Sequence, residues 1–342
     1  MKIPESDHTI QALIYAAYEA EQEFPRPHMG ASLLGHPCDR WLWLSFRHAV
    51  IEKHSGRMLL LFKRGHEEET KVVQHLRKIG AHVQNVGSNQ IGFDFGSHVK
   101  GSADGVVSGL PHAPKTKAIL ECKTHSDKSF KELKAKGVKE AKPMHWIQCC
   151  VYGYGAKIDR ALYFAVNKNT DEIYTEWLHL DKEIAENAIA RGQRIALSDR
   201  MPEPLSADPS WYQCKFCDGH DQCFGSKTTK HVNCRTCAMA TPLSDSTWHC
   251  AKWDDVIPVD AQRNGCDGHV LHPDLVPWQR KDGPDDYTAV YEINGTNVAN
   301  GDPEIEGVFS SRELLANAGA CADKGWTQLH DMRKQFGGRV VG

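Results

Sequence analysis

Asp104, Glu121 and Lys123 put two carboxylates and an ammonium on neighbouring strand-like segments, GSADG and KAILECKT. Alternate side chains of a strand share a face, so Glu121 and Lys123 point one way while Cys122 points into the core. The apolar residues ahead of Glu121 suit a buried strand whose end opens at a functional edge. Glycines beside Asp104 permit close approach of backbone or ligand. If the two segments pair, the three groups converge. Oxygen donors with open positions suit Mg²⁺ or Mn²⁺. A lysine beside them can orient or activate water and offset charge building on a phosphate. The same residues could instead be a turn aspartate and a Glu–Lys pair on a solvated strand face.

The second chemical signal is cysteine. The chain holds twelve, and seven fall between residues 214 and 266. No apolar core of signal-peptide length stands near the start, which sets the expectation of a cytoplasmic protein, where such clustering reads as metal binding rather than disulfides. Cys214, Cys217 and Cys223 cannot complete a tetrahedral site alone; His220 could join them around zinc. Cys234 and Cys237, followed by Cys250 and Cys266, read as a small tetrahedral zinc site, with His231, His249 and His269 nearby and His269 an alternative to Cys266. The intervening sequence is too polar to build its own core, so a metal would supply folding energy. Cys149, Cys150 and Cys321 read as packing residues.

Positioning these groups falls to recognisable elements. Helical spacing covers 9–22, a run from Cys38, about 58–79 up to Gly80, a Lys-rich stretch to about 140, the stretch MHWIQCCVYGYGA, and 181–199. Short strands are expected over 82–107, then KAILECKT, then a strand pair around Asn167–Asp171. The Pro-bearing MPEPLSADP marks an edge, and two short strands and a helix from Ser310 follow beyond about 283. This pattern predicts an α/β layered domain over about 1–200.

Composition fits a globular chain: 40% hydrophobic, 25% charged and 8% aromatic residues exclude a mostly disordered or fibrous one. No apolar run of about 18 residues exists to span a membrane. The net charge of -3 gives no reason to expect a general polyanion binder. It hides a local patch, though: residues 115–142 hold nine lysines against four acids, which suits a phosphodiester backbone.

Taken together, these residues resemble the PD-(D/E)xK nuclease superfamily, in particular its RecB/AddB-like iron–sulfur exonuclease branch, with C-terminal additions like those of phage-borne nucleases. Ala103-Asp104 stands where the family has Pro-Asp, and Glu121 and Lys123 supply the ExK. Gln148 and Tyr152 match a Gln-x3-Tyr motif that, by the resemblance, contacts the DNA backbone and braces the lysine. Arg64-Gly65 precedes a helical position for a metal-ligating His or Glu; Glu69 fits best, with His66 and Glu68 as competitors. Ser32, Gly35, Cys38 and Arg40 resemble the branch's N-terminal cysteine context, with one residue more between glycine and cysteine.

The resemblance covers about 30–225. It implies an α/β fold with a PD-(D/E)xK restriction-endonuclease-like core, a central mixed sheet flanked by helices. Its domain would span 1–227, closed by a 4Fe–4S cluster on Cys38, Cys214, Cys217 and Cys223. A zinc-binding module at 228–275 and a small β-β-α tail at 283–342 would follow. The implied activity is that of a metal-dependent DNA nuclease, an exonuclease in recombination or end processing. Asp104, Glu121, Glu69 and the Cys122 carbonyl would hold Mg²⁺ or Mn²⁺, and Lys123 would position water. DNA is the expected partner and a recombination or single-strand annealing protein a candidate one; the oligomeric state stays open. The alternatives are a structure-specific endonuclease and a non-catalytic Fe–S and Zn DNA-binding adaptor, and the intact trio argues against the adaptor.

Overall fold

A computed structural model of the chain describes residues 9–323 and 327–337. It is a mixed α/β structure with two compact units, one formed by the chain up to His36 with Glu52–Gln193, the other by Pro37–Ile51 with Arg194 onward. In chain order come α1 (Ile10–Ala20), β1 (Met29–Gly30), α2 (Asp39–Phe46) and α3 (Gly56–Lys78). Next are β2 (His82–Gln84), β3 (Gly92–Asp94), β4 (Val99–Ser102), β5 (Gly105–Ser108) and β6 (Ala118–His125). Then follow α4 (Asp127–Ala141), α5 (Pro143–Ala156), β7 (Arg160–Asn167), β8 (Ile173–His179) and α6 (Lys182–Leu197).

The first unit is built on a five-stranded sheet of order β2-β5-β6-β7-β8, in which only β6 and β7 run parallel. Parallel neighbours need a crossover, which α4 and α5 provide. Gly137 interrupts α4 with φ 74°, and Pro143 opens α5, where its missing N–H costs nothing. α3 is rich in strong helix formers (Leu, Met, Glu, Lys, Arg), places His75, Arg77 and Lys78 in its last turn where the dipole favours cations, and gives way to Gly80 at φ 88°. Its Val72, Val73 and Leu76 pack against Leu120, Cys122, Leu162, Phe164 and Val166 from one sheet face. Burying each such aliphatic side chain contributes about 1.5–3 kcal/mol. A small sheet of order β1-β4-β3 lies beside it in the same unit. There Gly101 of β4 has no alternative: a Cβ would stand 2.6 Å from Ala31 Cβ and 2.9 Å from Tyr152 Cε1.

The second unit gathers α2 with the C-terminal half. Trp43 Nε1 and Arg47 Nη2 donate to the Ser198 carbonyl at 2.9 and 3.2 Å. Arg235 Nη1 donates to Phe46 O at 2.8 Å, and its Nε and Nη2 both reach Gln262 Oε1. The two guanidiniums stack on shared aromatics, Arg47 over Trp43 and Trp248, Arg235 over Phe46 and Trp248. Burial lowers Arg47 to about 10 and Arg235 to about 9. These ties place residues 37–51 with the C-terminal half, so the boundary expected at 227 falls inside the second unit. A three-stranded sheet (Ala240–Pro242, Trp248–Cys250, Asp255–Val256) follows. Where two strands were expected beyond 283, three are formed there, Ala289–Ile293, Thr296–Asn300 and Val308–Phe309, and they pair in one sheet with Gln279–Lys281. Helix Ser311–Ala322 starts in a capping box of Ser310 and Glu313. Among the described residues no helix is long and apolar enough to cross a membrane.

Candidate active site

Asp104 sits in the tight link between β4 and β5, and the antiparallel pairing of β5 with β6 brings it opposite Glu121 and Cys122. Cys122 N–H donates to Asp104 Oδ2 at 2.8 Å. Glu121 is fully buried, and Lys123 Nζ donates to its Oε1. Its other oxygen, Oε2, is buried with no hydrogen-bond partner among the described residues. Such an orphan is costly, on the order of 1–3 kcal/mol, and marks a position where a further cationic or donor group fits.

The electrostatics say the same. Burial pushes Glu121 up to about 7, Lys123 opposes this, and Asp104 and Glu69 add to it. Glu69, on α3, is likewise raised to about 7 by burial and by Asp104, against Lys123. Burial works against the Lys123 ammonium, but Glu121 and Asp104 outweigh it and raise its pKa. Three carboxylates therefore share one field with a single lysine. Of the three candidates on α3, Glu69 feels the charges of Asp104 and Lys123, and Glu68 accepts from Lys71 at 3.0 Å.

α5 presents Gln148 and Tyr152, both buried, with Gln148 Nε2 donating to the Tyr152 hydroxyl at 3.2 Å. Tyr152 feels the charges of Glu121, Lys123 and Asp104, and its ring stacks with Phe93 at 5.9 Å. The lysine patch is partly self-neutralised: Lys131 pairs with Asp127, Lys134 with Glu172, and Lys136 and Lys142 with Glu132.

Sequence reasoning missed a group on the same sheet face. The Tyr163 hydroxyl lies 2.7 Å from His145 Nδ1 and 3.0 Å from His125 Nε2, and His125 Nδ1 meets Ser129 Oγ at 3.0 Å. Burial, with the positive charge of nearby lysines, holds His125 near 4 and His145 near 3, so both imidazoles are neutral. Two signals were available: His125 shares the strand alternation of Glu121 and Lys123, and His145 stands one turn before Gln148 on α5.

The cysteines of both proposed clusters belong to the second unit. Cys38 caps α2, its sulfur accepting from Trp41 N at 3.4 Å. Burial pushes Cys217 up to about 11, with Cys223 and Cys38 adding to it. Burial also raises Cys223, opposed by Arg40, with Cys38 and Cys214 adding to it. Cys234, Cys237, Cys250 and Cys266 line one cavity. His269 also borders it, but its Nδ1 meets Ser311 Oγ at 2.7 Å and its Nε2 meets Asn233 O at 3.0 Å, so both ring nitrogens are engaged. Among the described residues no three His, Cys, Asp or Glu side chains stand, as placed, in a group that could hold a metal ion.

No family model and no curated protein matches the chain. Among solved structures it is similar to a crystal structure of SSO0001, at 14% identity and a TM-score of 0.37, covering 61% of this chain and 93% of that one. It is also similar to LHK-Exo in complex with dAMP (14% identity, TM-score 0.35, 54% and 89% covered). A further crystal structure, of the alkaline exonuclease LHK-Exo from Laribacter hongkongensis, gives 13% identity and a TM-score of 0.34, with 53% and 90% covered.

Proposed function

We propose that the first unit is a metal-dependent DNA nuclease of the PD-(D/E)xK type, an exonuclease acting on DNA ends in recombination or end processing. The observation that carries this reading is the shared electrostatic field of Glu69, Asp104, Glu121 and Lys123 beside a buried Glu121 Oε2 that has no hydrogen-bond partner among the described residues. The three carboxylates would hold Mg²⁺ or Mn²⁺. The Cys122 carbonyl would join them, since extended backbone can offer N–H and C=O of one residue to the same neighbour. When bound, the ion polarises the scissile phosphate and lowers the pKa of a water.

This chain's own residues supply the rest. Lys123, kept protonated by Glu121 and Asp104, orients the attacking water and offsets charge on the phosphate oxygens. Tyr152, fixed by Gln148 and by stacking on Phe93, holds the substrate strand. The neutral His125–Tyr163–His145 group adds no positive charge beside Lys123. In the second unit, Cys38, Cys214, Cys217 and Cys223 would hold a 4Fe–4S cluster, the reading that three clustered thiols and a helix-capping fourth support. Iron and sulfide analysis of anaerobically purified protein tests it: about four irons support the cluster, and zinc without iron refutes it.

The deciding experiment for the activity uses end-labelled single- and double-stranded DNA with Mg²⁺, Mn²⁺ or chelator. Metal-dependent shortening from the ends, lost in Glu121→Ala, is the expected result. No cleavage of any substrate by the wild type, or unchanged cleavage in the variant, sinks the reading.

A further inference from the structure

We infer that Cys234, Cys237, Cys250 and Cys266 form a tetrathiolate zinc site that fixes Arg235 against α2. These four cysteines come from three separate stretches of chain, yet all line one cavity of about 490 Å³. The rest of its wall is largely apolar, with Met239, Val256 and Ile257. Four thiols in a largely apolar pocket are a donor set that tetrahedral zinc matches and that Mg²⁺ or Ca²⁺ does not.

The local backbone is shaped for thiolates. The turn Cys234–Thr236 is held by a capping box, with Asn233 accepting from Arg235 N and Thr236 N and the Thr236 hydroxyl accepting from Asn233 N. Cys237 Sγ then receives two backbone N–H groups, from Met239 and Val270, each at 3.4 Å. Donors aimed at a sulfur favour its anionic form. As placed, the thiols line the cavity without closing on a point. Cys234 instead donates to the carbonyls of Ala261 and Asn264, at 3.5 and 3.1 Å. Rotation of Cys234 off those carbonyls, with loss of its thiol proton, turns it from donor to ligand. His269 is not a competitor, because both its ring nitrogens are committed.

What the site accomplishes follows from the residue between the first two ligands. Arg235 is almost fully buried and carries its charge to Phe46 O, Gln262 and the face of Trp248. A buried guanidinium holds its place only if its backbone is fixed, and the Cys234–Cys237 turn is what fixes it. Zinc there is a structural staple for the anchor of α2, distinct from catalysis and independent of the nuclease reading.

The full-length protein, purified under reducing conditions, is expected to hold about one zinc lost in Cys266→Ser and in Cys234→Ser but kept in Cys214→Ser and Cys321→Ser. Cobalt substituted for the zinc is expected to show the ligand-field bands of a tetrahedral thiolate site, and chelation to lower the thermal midpoint by about 5 °C or more. Should the serine variants not fold, mercurial titration of the wild type decides: zinc is released as about four thiols react. Zinc retained in both Cys234→Ser and Cys266→Ser, a wild type that takes up neither zinc nor cobalt, or a Cys234–Cys237–Cys250–Cys266 set found as disulfides would each overturn the inference.

Discussion

The Cys122 amide and the Asp104 carboxylate are joined by a 2.8 Å hydrogen bond, so the strand that carries Glu121 and Lys123 also clamps the acid facing them. Asp104→Asn keeps an acceptor for that amide and is expected to fold normally while losing metal-dependent DNA cleavage by about 100-fold or more. Asp104→Ala also orphans the amide and should cost a further ~1–2 kcal/mol of stability. Activity assays beside thermal melts separate the two effects; equal activity in Asp104→Asn and wild type would remove Asp104 from the site.

Glu121 combines complete burial with an unpartnered oxygen, a strained arrangement for a carboxylate. Glu121→Gln keeps the shape and removes the charge. In chelator this variant should melt at or above the wild-type temperature, by up to ~2 kcal/mol, while its activity falls. A large loss of stability would mean that the carboxylate is there for the fold.

Lys123→Ala removes the ammonium that Glu121 and Asp104 keep protonated. Turnover is expected to fall about 100-fold or more with DNA affinity changed much less. Single-turnover kinetics and a filter-binding assay read the two quantities.

Tyr163→Phe leaves His125 Nε2 and His145 Nδ1 facing each other without the hydroxyl they share. The expected cost is ~1–3 kcal/mol. Denaturant titration measures it, and a midpoint within error of wild type would show that the group contributes nothing to the fold.

In the second unit, burial depresses both His269 and His272 to about 4. The unfolded chain takes up protons near 6.5, the folded one only near 4. Stability from these residues is therefore complete above about pH 6.5 and lost as pH falls toward 4, with a slope near 1.4 kcal/mol per pH unit for each histidine. The melting profile of wild type across this window should be steeper than that of His272→Gln.

Legibility from the sequence followed the range of the interactions. Strand alternation alone puts Glu121 and Lys123 on one face, and helical spacing alone puts Gln148 and Tyr152 one turn apart; both are local facts. Tyr163 was not legible, because β7 is apolar along its length and a tyrosine in it reads as core. A choice among His66, Glu68 and Glu69 is not local either, because it depends on how α3 rotates over the sheet. Nothing local marks Arg47 and Arg235, and their burial against Trp248 depends on a pairing 188 residues apart in sequence. The two-residue strand Met29–Gly30 is too short to have any periodicity.

The interleaving of the two units has a practical corollary. The chain passes between them after His36, after Ile51 and after Gln193, so neither is a contiguous segment. Ending the protein at residue 227 would keep α2 but delete Arg235, Gln262 and Trp248, stripping Phe46 and Arg47 of the groups that cover them. Such a fragment should be sticky and prone to precipitate. Separating the units cleanly would require excising 37–51 and bridging the gap, not a single cut.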